Sequence, residues 1–220
     1  MQAVIATRRS LLYFEGSVWV MTNKFVQQWA APSFVLLMIV ILQLFASDLS
    51  PLLEFDRTAI YQGEWWRLVT GHFMHSNGWH LLMNFAALLV ILAVQGMHQT
   101  LTRFLVLLLA GCSMIGLMLL FLSPSMMIYV GLSGWLHALL VFGACADIVK
   151  HWSSGWLILI GVFCKVIWEQ TQGASADMVS LIEANVAIDA HLFGALTGLV
   201  LFFIMQSIPV LHIDKGLKAS

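Results

Sequence analysis

After residue 29, six apolar stretches divide the chain, at about 30–47, 79–97, 103–122, 131–149, 154–171 and 187–208. Each is close to the roughly 20 residues that cross the hydrocarbon of a bilayer. Short polar breaks separate them: Ser47-Asp48 closes the first, Ser76-Asn77-Gly78 precedes the second, Ser123-Pro124-Ser125 closes the third and Lys150-His151 closes the fourth. The pattern predicts an all-α polytopic membrane protein of six transmembrane helices, with a membrane domain over 30–208 and no internal repeat. Residues 1–29 read as a cytoplasmic or interfacial segment and 209–220 as a cytoplasmic tail. In the former, Glu15 and Gly16 end the apolar run Leu11-Leu12-Tyr13-Phe14 after four residues, too few for a signal-peptide core or a span.

Two connections stand apart. The segment Asp48–Gly78 is long and sets Phe55, Tyr61, Trp65, Trp66 and Phe73 among charged residues. Tryptophan and tyrosine favour the membrane interface, so this segment is expected to lie in the outer leaflet. The connection Ser123–Val130 is short and uncharged, with Met126 and Met127 placed to meet lipid or a substrate.

Composition strengthens the membrane reading. Hydrophobic residues make up 60% of the chain and charged residues 10%, with a mean hydropathy of +0.91; a soluble domain carries about 25% charged residues to coat its surface. A net charge of −1 gives no basic surface for nucleic acid. Cys112, Cys145 and Cys164 all lie in apolar runs without metal-type spacing and read as packing residues. With the amino terminus inside, Arg8, Arg9, Lys24, Arg103, Lys150, Lys215 and Lys218 fall on the cytoplasmic side. The opposite connections receive Arg57 and Arg67 together with Asp48, Glu54, Asp56, Glu64, Asp177, Glu183 and Asp189. This asymmetry predicts that both termini are cytoplasmic.

That orientation brings the beginnings of the second, fourth and sixth runs to a similar depth near the outer face, and these carry His80, Ser133 and His191. His80 and Asn84 are one helical turn apart, as are Ser133 and His137, and His72 and His75 lie just ahead of the second run. Any one of these side chains alone reads as an interhelical hydrogen bond. Together they supply a nucleophile in Ser133, a base in His191 and donors for a developing oxyanion in His80 and Asn84. Small residues allow the approach this needs. Gly134 and Ala138 form one face of the fourth run, and Gly194 and Gly198 one face of the sixth. The histidines admit a reading of another class, in which His72, His75, His80, His137 and His191 ligate haem or a metal.

The order His80-x-x-x-Asn84, Gly131-x-Ser133-Gly134 and His191-x-x-Gly194-x-x-x-Gly198 across six spans resembles the rhomboid intramembrane serine proteases. The likeness covers about Ala31 to Ser207, with Trp66-Arg67 similar to the family's loop motif and His75 to its additional histidine. The resemblance implies a six-helix rhomboid-like bundle that cleaves membrane-anchored proteins, with a Ser133–His191 dyad needing no acid. It further implies an oxyanion hole from His80, Asn84 and the Ser133 amide, and substrate access beside the fifth helix. No cofactor or metal is expected on this reading.

Gly131-Leu132-Ser133-Gly134-Trp135-Leu136-His137 departs from many rhomboids at Leu132, where alanine is common, and at His137, where bacterial members often have tyrosine. It resembles the rhombosortase branch. That likeness implies substrates with a carboxy-terminal Gly-Gly motif, a membrane helix and a basic tail, transfer to a lipid-derived amine in place of simple hydrolysis, and a bacterial inner membrane with the site open to the periplasm. His137 is then an accessory residue, either orienting His191 or packing in tyrosine's place. Lys165 and Glu169, one turn apart on the fifth run, form either a structural ion pair or a gate contact to the substrate. Asp189 is two residues from His191, so on a regular helix it points elsewhere.

Overall fold

The computed structural model describes residues 28–213. The expectations for residues 1–27 and for the tail from 214, including Arg8, Arg9, Lys24, Lys215 and Lys218, lie outside the described residues.

A helix falls on each of the six apolar runs. The first, α1 (Gln28–Leu44), stops three residues short of the expected end, and the chain turns by 109° into α2 (Ala46–Leu53). The turn falls at Phe45, just ahead of the polar residues Ser47, Asp48 and Ser50 of α2. A compact loop domain follows, built from β1 (Phe55–Asp56), α3 (Arg57–Tyr61), α4 (Arg67–Thr70) and a 3₁₀ turn at Gly71–Phe73. Then come α5 (Gly78–Gln95), α6 (Leu101–Leu122), β2 (Ile128–Tyr129), α7 (Ser133–Val149), α8 (Ser153–Gln172), α9 (Ala176–Ile182) and α10 (Ile188–Gln206). By length and apolarity α5, α6 and α10 can each cross a membrane, and α1 with α2 makes a fourth if the bent pair is one span. The apolar α7 is shorter, and α8 carries Lys165 and Glu169.

The loop domain is held by arginines. Arg57 reaches four carbonyls at the end of α6 and beyond it: Leu119, Leu120, Ser123 and Met126, at 2.6–2.9 Å. Arg67 pairs with Glu64 at 2.7 Å and donates to the carbonyls of Glu54 and Pro51 at 2.9 and 2.8 Å. Of the Arg57 partners, the Leu119 and Ser123 carbonyls also accept a backbone N–H, whereas those of Leu120 and Met126 have the arginine as their donor, and leaving such groups unpaired in a buried place is costly. β1 and β2 pair antiparallel, setting Phe55 opposite Tyr129. Gly116 of α6 lets the Leu68 carbonyl approach so closely that a Cβ would lie 2.3 Å from it. The connection preceding α7 is thereby fixed to the loop domain.

α7 is the central helix, buried along most of its length. Trp135 is completely buried and donates to the Leu107 carbonyl of α6 at 3.0 Å. On the side of α10 the crossing is made by Gly134 and Ala138 of α7 against Gly194 and Gly198. A Cβ on Gly194 would lie 1.9 Å from the Gly134 carbonyl oxygen, and one on Gly198 would lie 2.5 Å from that of Ala138. Backbones this close leave the side chains flanking the crossing within bonding distance.

Candidate active site

The fourth apolar run begins at Gly131, but α7 begins at Ser133. Gly131 has φ +120°, a conformation side-chain-bearing residues rarely adopt, and a Cβ there would lie 2.7 Å from the His80 ring. The chain enters α7 abruptly, placing Ser133 in the first turn, where backbone N–H groups lack intrahelical acceptors. Its hydroxyl faces α10.

Ser133 Oγ lies 2.9 Å from His191 Nε2 across the glycine crossing. The His191 ring is stacked on His137, with centroids 4.3 Å apart and planes 20° from parallel. His137 is itself tethered to α7, its Nδ1 lying 2.7 Å from the Ser133 carbonyl oxygen. The far edge of His191 meets α8: Nδ1 is 2.9 Å from Glu169 Oε2, while Glu169 Oε1 accepts from Lys165 Nζ at 2.7 Å. Lys165 Nζ also lies 3.3 Å from His137 Nε2. The expected ion pair therefore exists, but its carboxylate also bonds across to α10.

His80, Asn84, Ser133, His137, Lys165, Glu169 and His191 line one cavity of about 420 Å³. His80 Nδ1 lies 3.0 Å from Ser76 Oγ and 3.5 Å from the Ser76 amide nitrogen, leaving Nε2 beside Gly131. The Ser76 hydroxyl donates to the Ile182 carbonyl at 2.7 Å, so donation from His80 Nε2 into the cavity requires the tautomer in which Nδ1 accepts from the Ser76 amide. Asn84 Nδ2 donates one proton to the His80 carbonyl at 3.2 Å and keeps its second. Ala87, Ile91, Leu140 and Val162 line both this cavity and an apolar groove of about 610 Å³ beside α8.

Other predicted residues lie elsewhere. His75 packs edge-to-face on His80, with centroids 5.1 Å apart. Burial, with the neighbouring His80, pushes the His75 imidazole down to about 3. His72 contacts the Cys112 carbonyl and the Tyr129 hydroxyl, both at 3.1 Å, and burial pushes it down to about 4. Asp189 accepts from Ser123 Oγ and makes no hydrogen bond to His191. The five histidines therefore do not converge on one point. Among the described residues a different group, His137, Glu169 and His191, presents potential ligand atoms within 4.8 Å of one another. The Lys165 ammonium already sits against all three of its members, 3.3 Å from His137 Nε2, 2.7 Å from Glu169 Oε1 and 3.5 Å from His191 Nδ1.

Sequence reasoning missed the Glu169–His191 contact. The spacing of Lys165 and Glu169 showed their pairing, whereas a contact between α8 and α10 has no periodic signature.

The rhomboid domain family matches residues 62–208 of the chain. The chain is also 34% identical over 149 residues to "Putative rhomboid protease YdcA" of Bacillus subtilis (strain 168), an alignment covering 66% of this chain and 69% of that protein.

Proposed function

This chain belongs to the rhomboid family, and from that premise we propose that it is an intramembrane serine protease with Ser133 as nucleophile and His191 as general base. The observation that carries the reading is the 2.9 Å contact between Ser133 Oγ and His191 Nε2 inside a cavity lined by amide and imidazole donors. Ser133 Oγ attacks the scissile carbonyl carbon as its proton passes to His191 Nε2. His80 Nε2–H, the free Asn84 Nδ2–H and the Ser133 backbone N–H stabilise the oxyanion. As the tetrahedral intermediate collapses, the C–N bond breaks and His191 protonates the departing amine, leaving an acyl-enzyme on Ser133. A water or an amine then accepts the acyl group through the same base.

In this reading α1, α5, α6, α7, α8 and α10 are six spans, with both termini cytoplasmic and the cavity toward the periplasmic side of a bacterial inner membrane. The 17 residues of α7 extend about 25 Å at 1.5 Å each. That is short of the roughly 30 Å of hydrocarbon and keeps Ser133 below the outer surface. The substrate's membrane helix reaches the cavity along the apolar groove beside α8.

Leu132 and His137 direct the finer reading to the rhombosortase branch: substrates with a Gly-Gly motif, a membrane helix and a basic tail, with transfer to a lipid-derived amine. The likeness to YdcA favours a second reading, hydrolysis of other transmembrane substrates. Co-expression with a substrate carrying the Gly-Gly tail, followed by mass spectrometry of the new carboxy terminus, separates them. An amine-linked lipid fragment supports transfer, a free acid supports hydrolysis, and cleavage persisting in Ser133→Ala overturns the mechanism.

A further inference from the structure

The proposed reaction uses a serine, a histidine and oxyanion donors, and leaves the α8 carboxylate without a part. We infer that Glu169 is a positioning residue for His191, making the site a Ser133–His191–Glu169 triad, and that Lys165 fixes the rotation of the Glu169 carboxylate. The inference rests on the proposed roles of Ser133 and His191.

The two nearest partners of the His191 imidazole are of different kinds. One edge meets a hydroxyl at 2.9 Å, and the other a carboxylate oxygen at 2.9 Å, with the Lys165 ammonium farther from Nδ1 at 3.5 Å. A carboxylate can only accept, and a neutral imidazole has one N–H. The proton therefore sits on Nδ1, directed at Glu169, and the Nε2 lone pair points at Ser133 Oγ. That is the tautomer a base needs. Little water competes for these bonds, since the side chains of His191 and Glu169 are 7% and 14% exposed. Stacking on His137 holds the plane of the ring.

Each Glu169 oxygen has its own partner, Oε1 with Lys165 and Oε2 with His191. In the reaction the Ser133 proton moves to Nε2 and on to the leaving amine. Glu169 stays ionised and Lys165 stays protonated, so the carboxylate stabilises the transient imidazolium without taking a proton. The acid arrives on a sparsely buried helix, for among the residues of α8 only Gly155, Val162 and Val166 are buried. Completion of the site consequently depends on α8 being seated.

The role of Lys165 gives a test that separates positioning from folding. In Glu169→Gln the amide oxygen remains with the Lys165 ammonium, so the amide NH₂ faces His191 Nδ1. It then donates to Nδ1 and stabilises the Nε2–H tautomer, which cannot take the Ser133 proton. Removing the ammonium as well, in Lys165→Met/Glu169→Gln, frees the amide to turn its oxygen to Nδ1–H.

The experiment measures the rate at which a fluorescent fluorophosphonate labels the purified full-length protein in detergent micelles. Ser133→Ala is expected to go unlabelled. Glu169→Gln should label about 100-fold more slowly than wild type, within the range that proton-transfer catalysis commands, and the double variant should recover about tenfold of that loss. Glu169→Gln labelling at the wild-type rate, with Ser133→Ala unlabelled, would overturn the inference and leave the serine protease reading standing. A double variant no faster than Glu169→Gln would also overturn it, showing a merely structural contact. Undiminished labelling of Ser133→Ala would remove the reading on which the inference rests.

Discussion

Gly194→Ala probes the crossing that brings base to nucleophile. An added Cβ would lie 1.9 Å from the Gly134 carbonyl oxygen, where about 3.4 Å is an ordinary contact. The nearest atom is backbone, so no side-chain rotation relieves the clash, and α10 must move from α7 by roughly 1.5 Å. Overpacking of this kind costs about 1–3 kcal/mol. A shift of that size would lengthen the 2.9 Å Ser133–His191 contact beyond hydrogen-bonding range. A misplacement of about 1 Å can cost roughly 100-fold in rate, so the rate of fluorophosphonate labelling should fall at least that far even in protein that remains folded. Gly161→Ala is the control, since its Cβ meets nothing within 4 Å. Labelling of Gly194→Ala at the wild-type rate, with an unchanged melting temperature, would refute the argument that this crossing sets the geometry.

Three further perturbations follow from the same contacts. His137→Phe keeps a ring to stack on His191 but loses the tether to the Ser133 carbonyl and the contact with Lys165; labelling should slow severalfold with little change in melting temperature, and a wild-type rate would assign His137 to packing alone. Arg57→Met leaves the Leu120 and Met126 carbonyls without a donor and takes one of two donors from those of Leu119 and Ser123, and should destabilise the protein by about 2 kcal/mol or more, read as a lowered melting temperature in micelles; an unchanged value would show that Arg57 does not hold the loop domain. His72 and His75 are buried with their imidazoles held down at about 4 and about 3, against about 6.5 when unfolded. Below that value the unfolded chain binds more protons, so their stabilisation is complete above about pH 6.5 and is lost as pH falls from there toward 4. Melting temperature should decline from pH 7 to pH 5, and a flat profile would contradict the burial of neutral imidazoles.

Much of this architecture was legible as hydrophobic length. Apolar runs near the length of a bilayer become helices because unpaired backbone is intolerable in lipid, and boundaries at Leu122 and Val149 coincide with the runs. Boundaries set by backbone conformation were less visible. The bend after Leu44 and the positive φ of Gly131 moved two helix ends by two or three residues. Ser133, His191 and the pair His80 and Asn84 could be gathered because the three runs that carry them begin at a similar depth. The loop domain could not be built this way, since Arg57 and Arg67 bind carbonyls and a carbonyl belongs to every residue type. Glu169 shows the same limit from another side: the spacing to Lys165 is local, while the contact to His191 depends on how α8 leans against α10.

In the proposed function Ser133 is a nucleophile activated by His191. The most direct measurement is peptide mapping of the fluorophosphonate adduct by mass spectrometry in wild type and His191→Ala. Wild type should carry a single adduct on Ser133, and His191→Ala almost none. An adduct on another serine, or equal modification of Ser133 without His191, would contradict it.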